Sequence, residues 1–215
     1  MKYTVTIVLL IASLTGFSQK DSNKVRNIAN EIPDKGSVFV NGGVGFSLYQ
    51  FLMNHQILLL NSNGGAPATI AFVTPAYNFN VDYNFKENKF IGLSASYQQW
   101  AENVNYSSMG GTQNYTTPEH TTRLNIAFRR VHYKNVDKKT DSYYGFRIGI
   151  SCWNTVQYVP NTIYGPANVV NTNTFLPSFQ FLIGIRNYIT KSFGYNLEVG
   201  IGSPYFLAVS IFYKI

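Results

Sequence analysis

The chain has 215 residues, with 17 Lys and Arg against 10 Asp and Glu and a formal net charge of +7; its length suits one domain, and nothing in it marks a second folding unit. A lone cysteine, Cys152, excludes an intrachain disulfide, and no Cys/His zinc spacing occurs. Charged residues make up 13% and aromatics 16%, a poor match to an average soluble domain, while the mean hydropathy sits near zero. Apolar and polar side chains must therefore be interleaved, which makes alternation the pattern to look for.

Residues 1–18 have the parts of a secretory signal: Lys2 as a basic start, an apolar core from Val5 to Leu14, and Gly16-Phe17-Ser18 as a small-x-small site, with cleavage expected after Ser18 or Gln19. That core is about half of the ~20 residues a transmembrane helix needs, and no later segment is uniformly apolar over such a length. Residues 19–36 are polar, contain Pro33 and end on Gly36, and are expected to form a short periplasmic lead.

From Ser37 to Ile215 the chain reads as eight segments in which every second residue is apolar, the period of a strand with two unlike faces. The first places Val38, Val40, Val44, Phe46 and Leu48 opposite Asn41, Gly43, Gly45 and Ser47. The second sets Val73, Tyr77, Phe79, Val81, Tyr83 and Phe85 against Thr74, Asn78, Asn80, Asp82 and Asn84. The third sets Ile91, Leu93, Ala95 and Tyr97 against Gly92, Ser94, Ser96 and Gln98. In the fourth, Leu124, Ile126 and Phe128 oppose Arg123, Asn125 and Arg129; in the fifth, Tyr144, Phe146, Ile148 and Ile150 oppose Gly145, Arg147, Gly149 and Ser151. The sixth runs around Phe179, Phe181, Ile183 and Ile185 opposite Ser178, Gln180, Gly184 and Arg186, with Leu176 and Leu182 out of step. The last two cover Phe193 to Ile201, with Glu198 on the polar face, and Tyr205 to Ile215.

A water-soluble sheet would carry abundant Lys and Glu on its polar face, whereas this one is mostly Gly, Ser and Asn. A membrane barrel inverts the arrangement, with large apolar side chains toward lipid and small or polar ones inside. The pattern predicts an all-β protein, an eight-stranded antiparallel up-and-down transmembrane β-barrel. Connections are expected to be long near residues 50–66, 101–117 and 156–173 and short near 86–89, 135–141 and 190–192. That asymmetry, with an even strand number, predicts periplasmic termini and turns. The short turns hold most of the exposed charge, Lys86, Glu87, Lys89, Lys138, Lys139 and Lys191 among it, so the basic balance is not an outward patch for nucleic acid. Tyr106, Tyr115, Tyr158 and Tyr164 at one end, and Tyr83, Phe85, Tyr133 and Tyr143 at the other, are expected to form interfacial aromatic belts.

The Gly-rich first strand VNGGVGFSL, the turn and strand ENKFIGLSASY, the charged turn before YYGFRIGI and the alternating C-terminal strand together resemble the small outer-membrane β-barrel proteins of the OmpA/OmpX-like type. The resemblance spans Ser37 to Ile215 and implies an outer-membrane location, lipid as the surrounding partner and the barrel-assembly machinery as a partner in biogenesis. Family members commonly end in a strand with a terminal aromatic; here the aromatics precede Lys214-Ile215.

Asp82, Arg129, Arg147, Arg186 and Glu198 fall on the inward face above the short turns, with Arg123 higher, and together form a candidate interior charged layer. One reading is structural, with paired charges holding the lumen together; the other is a narrow pore for ions or small solutes, its arginines attracting the permeant. A third possibility is a soluble periplasmic, lipocalin-like binder. Catalysis is not expected: the histidines are His55, His120 and His132, and none stands in a His-x-Ser arrangement with an acid suitably placed. Nor is a metal or cofactor expected, because the histidines are dispersed and the stretches NGGVG and SNGG lack a following Lys-Ser/Thr. His132 and Arg130 are expected on the lipid side near a short turn, as headgroup anchors. The apolar run Ile57–Leu60 is expected to extend the strands. The sequence names no external ligand.

Overall fold

In the computed structural model, residues 35–47, 69–107, 114–135, 139–159 and 168–215 are described. The expected leader, all but the last two residues of the lead, and the run Ile57–Leu60 lie outside them. The described strands are β1 (Val38–Phe46), β2 (Thr69–Val73), β3 (Ala76–Lys86), β4 (Lys89–Ser107), β5 (Asn114–Asn135), β6 (Thr140–Val159), β7 (Asn168–Tyr188), β8 (Phe193–Gly202) and β9 (Leu207–Lys214).

All pairings are antiparallel, and the order β4-β3-β1-β9-β8-β7-β6-β5 closes on itself through a β4–β5 ladder. Of the nine described strands, β2 is not needed to close this ring, which leaves eight. Closure removes the exposed edges that would otherwise template aggregation. Both ends of the barrel chain meet: Val38 and Ile215 exchange backbone hydrogen bonds of 3.0 and 2.8 Å. This end is called the terminal end below, the opposite one the distal end.

The second segment predicted from the sequence is split into β2 and β3, both paired with β4. The break falls at Thr74-Pro75, where proline has no N–H for the ladder. Thr74 bridges it: its Oγ1 donates to the Gln99 carbonyl (3.1 Å) and accepts from the Gln99 N–H (3.0 Å), and Gln98 Nε2 donates to the Thr74 carbonyl (3.0 Å). At the terminal end β3 and β4 join through Glu87-Asn88, where Asn88 has φ 58°, a left-handed conformation that asparagine tolerates.

Strand lengths divide the barrel into unequal walls. β4 to β7 have 19, 22, 20 and 21 residues, whereas β1, β3, β8 and β9 have 9, 11, 10 and 8. Among the described residues β4 to β7 therefore continue past β1, β8 and β9 at the distal end, and β2 carries the line of β3 further along β4. The segments expected as loops at 101–117 and 156–173 are largely strand: β4 continues to Ser107, β5 starts at Asn114, β6 reaches Val159 and β7 starts at Asn168. The reason is that these segments are rich in Asn and Thr and carry no alternating apolar face, which hides the strand from a search for alternation. Asn154 Nδ2, for example, donates to both Asn171 Oδ1 and Asn173 Oδ1 at 2.8 Å across β6 and β7.

Apolar side chains occupy outward positions around the whole ring, as at Phe79 on β3, Leu93 on β4, Ile126 on β5, Ile148 on β6, Ile183 on β7, Val199 on β8 and Ile211 on β9, all more than half exposed. Inward positions are buried and mostly polar. At the terminal end, however, the inside is apolar: Phe39, Phe90, Val131, Tyr133, Tyr143, Leu182 and Phe212 form one buried cluster. Tyr133 and Tyr143, expected in an outer belt, face inward at 1% exposure, while Tyr83 does lie outside at 44%. Alternation counted from Arg129 and Arg147 already places both tyrosines on the inner face. Their position beside a turn was the weaker guide.

Candidate functional site

Period-2 alternation turns Asp82 of β3, Arg129 of β5, Arg147 of β6, Arg186 of β7 and Glu198 of β8 into the lumen, each at most 2% exposed, with Arg123 of β5 at 5%. Four of these six are joined directly. Arg129 Nε lies 2.9 Å from Asp82 Oδ1, Arg129 Nη1 lies 3.1 Å from Glu198 Oε2, and Arg147 Nη2 lies 2.6 Å from Glu198 Oε1. Glu198 also accepts from the hydroxyls of Tyr143 and Tyr205, each at 2.9 Å. One carboxylate thus gathers two guanidinium groups and two phenols.

These contacts span strands that are not neighbours, and two glycines make that possible. β4 lies between β3 and β5, and in its register Gly92 faces both Asp82 and Arg129. A Cβ on Gly92 would come within 2.4 Å of Asp82 Oδ1, the atom to which Arg129 is paired. Likewise β7 lies between β6 and β8, and a Cβ on Gly184 would meet the Tyr143 ring at 2.2 Å. The bare backbone lets the Tyr143 hydroxyl cross β7 to lie 2.6 Å from Asn196 Oδ1 and 2.9 Å from Glu198 Oε2 on β8, sharing its one proton between them.

The remaining arginines are held differently. Arg186 has no carboxylate within ion-pair distance among the described residues; its guanidinium lies 4.0, 4.5 and 4.8 Å from the ring centres of Phe39, Tyr133 and Phe212 and donates to the Tyr133 hydroxyl. A buried cation among aromatic faces is stabilised by the ring quadrupoles. Arg123, toward the distal end, donates to Gln98 Oε1 (2.8 Å) and the Pro204 carbonyl (2.6 Å) and lies over Trp153. The interior therefore has three levels: an aromatic floor around Arg186, the Asp82–Arg129–Glu198–Arg147 network, and Arg123 above. Sequence reasoning missed the floor and the phenols of Tyr143 and Tyr205, although the inward parity of Tyr133, Tyr143 and Leu182 was readable.

Such an arrangement can hold strands together across the lumen. Ions buried away from water are tolerated when opposite charges and hydrogen bonds surround them, as here. Arg129, Arg147, Arg186, Tyr133, Tyr143 and Tyr205 are the largest side chains fully buried in the described barrel.

Beyond the apolar band, at the distal mouth, Glu102 of β4 stands directly opposite Glu119 of β5. Burial, and then the neighbouring Glu119, push the Glu102 carboxyl above its ordinary range. A raised carboxyl favours the folded state while protonated and loses that contribution as pH climbs through its folded value. Glu102→Gln is expected to raise the melting temperature near neutral pH and to change it little near about pH 4; melts across that range check the sign.

No family model matches the sequence, and no curated protein matches it. Among solved structures the chain is similar to the N-terminal β-barrel domain of Pseudomonas aeruginosa OprF, at 9% identity and a TM-score of 0.41, covering 84% of this chain and 98% of that one. It is also similar to Ail, the attachment invasion locus protein of Yersinia pestis, at 9% identity and a TM-score of 0.42, covering 85% and 100%. A second structure of Ail, in complex with the heparin analogue sucrose octasulfate, gives 11% identity and a TM-score of 0.39 over 85% and 100%. The chain's own closed ladder, read strand by strand, makes it an eight-stranded antiparallel up-and-down β-barrel.

Proposed function

We propose that this chain is an exported, integral outer-membrane barrel of a Gram-negative bacterium with a structural or surface-interaction role and no catalysis. The observation that carries this is the belt of exposed apolar side chains around a closed ring whose buried interior positions are mostly polar. A soluble monomer rarely exposes an apolar patch beyond a few hundred Å², and a complete belt demands lipid. The leader read from residues 1–18, and the charged turns at the terminal end, support periplasmic termini. The barrel-assembly machinery is then its partner in biogenesis. The tall wall of β4 to β7 projects outward as a polar surface for an external partner. The packed lumen favours the structural reading over a pore.

Tryptophan quenching tests the membrane reading. The chain's two tryptophans, Trp100 and Trp153, both take inward positions and pack edge to face at 5.3 Å. In vesicles with brominated acyl chains the wild-type emission is expected to stay largely unquenched. Ile148→Trp, placed where the side chain is 54% exposed on the outer face, is expected to be quenched strongly. Recovery without detergent, and gel migration that boiling does not shift, would overturn the reading.

A further inference from the structure

The outer face near the terminal end carries a feature that the barrel's integrity does not require. Lys89 of β4 and His132 of β5 are directly paired in register, and Arg130 lies one outward position above His132, between Ile91 of β4 and Phe146 of β6. Lys89, Arg130 and His132 line a groove of about 490 Å³ together with Tyr144, Phe146 and Phe181. The His132 ring packs edge to face on Tyr144 at 5.2 Å. Among the described residues no carboxylate pairs with Lys89, Arg130 or His132. The outward positions around them, Ile91, Phe128, Ile183 and Ile185, are apolar.

The Arg130 guanidinium, set between an isoleucine and a phenylalanine on the outer wall, has no anion beside it among the described residues. Long basic side chains reach the headgroup layer from just within the acyl region, where charge on a barrel's lipid face costs least. The groove has the size of a small-molecule site. Its lining combines basic and aromatic side chains, with Tyr144 paired to His132 and Phe146 paired to both Arg130 and Phe181.

We propose that this groove is a binding site for one anionic glycerophospholipid of the periplasmic leaflet, its phosphate held by Lys89, Arg130 and His132 and its first acyl methylenes lying along Phe146 and Phe181. The assignment rests on the membrane reading above, with the terminal end periplasmic. It makes the contact a site for one lipid rather than a diffuse basic collar.

Purified barrel in detergent, titrated with dioleoyl phosphatidylglycerol or dioleoyl phosphatidylcholine and weighed by native mass spectrometry, tests it. The wild type is expected to retain one phosphatidylglycerol in preference to phosphatidylcholine. Lys89→Gln combined with Arg130→Gln is expected to weaken that binding roughly thirty-fold, about five-fold for each basic residue near a headgroup and slightly more. Heat-shifted gel migration confirms that the variant is folded; if it is not, the wild-type preference alone decides. Equal retention of the two lipids, or unchanged retention by the folded double variant, overturns the site and leaves the membrane reading intact. Inorganic phosphate competing as well as the lipid also overturns it, by showing that an ion suffices. A wild-type chain that fails to insert into vesicles overturns both readings.

Discussion

Glu198→Ala is expected to lower the unfolding free energy by about 3–5 kcal/mol, the cost of leaving a buried charge without its partner. The magnitude follows from how many groups lean on this carboxylate: Arg129 at 3.1 Å, Arg147 at 2.6 Å, and the Tyr143 and Tyr205 hydroxyls at 2.9 Å. Arg129 keeps Asp82, but Arg147 is left with Gln180 Oε1 at 3.0 Å and Asn80 Oδ1 at 3.4 Å, neither of them charged. Glu198→Gln retains the shape and part of the hydrogen bonding and should fall between the wild type and Glu198→Ala. Urea unfolding of the barrel in vesicles, followed by the heat-shifted gel band, measures the difference. A loss below about 1 kcal/mol, the range of exposed ion pairs, would show that water reaches the network and that the lumen is open.

Gly184→Val is expected to cost about 3 kcal/mol by another route. A Cβ there would stand 2.2 Å from the Tyr143 ring, so the ring must leave its path across β7 and give up both Asn196 and Glu198. Overpacking costs ~1–3 kcal/mol and an unsatisfied buried hydroxyl a similar amount, with partial relaxation of the ring keeping the total in the lower half of the summed range. Gly42→Ala serves as the control, because a Cβ at Gly42 meets nothing within 4 Å. If the two substitutions had equal effects on unfolding, the glycine gap would not be what admits Tyr143. Combining Gly184→Val with Glu198→Ala should cost less than the sum of the two, since both remove the Tyr143–Glu198 bond.

Alternation along the chain was enough to assign faces. It put Asp82, Arg129, Arg147, Arg186 and Glu198 on the polar side and Phe79, Ile126 and Ile183 on the apolar side, because successive side chains of a strand must point oppositely whatever the strand pairs with. It also gave the number of barrel strands. The distal halves of β4 to β7 were not legible, since a two-sided polar strand in water leaves no hydrophobic period to detect. Nor was the Thr74-Pro75 break, where the register on β4 shifts by one residue and the Thr74 side chain bridges the gap to Gln99.

What the sequence by itself determined is therefore local: which residues alternate, which turns are short and charged, and which side chains share a face. Which of those side chains meet was decided only by the closed barrel. Asp82 and Glu198 are far apart in sequence yet converge on Arg129, and Arg186 lies against Phe39 and Phe212 rather than a carboxylate. The physical reason is that ring closure and the stagger of the strands set the height of each residue in the lumen, and a period of two carries face but not height.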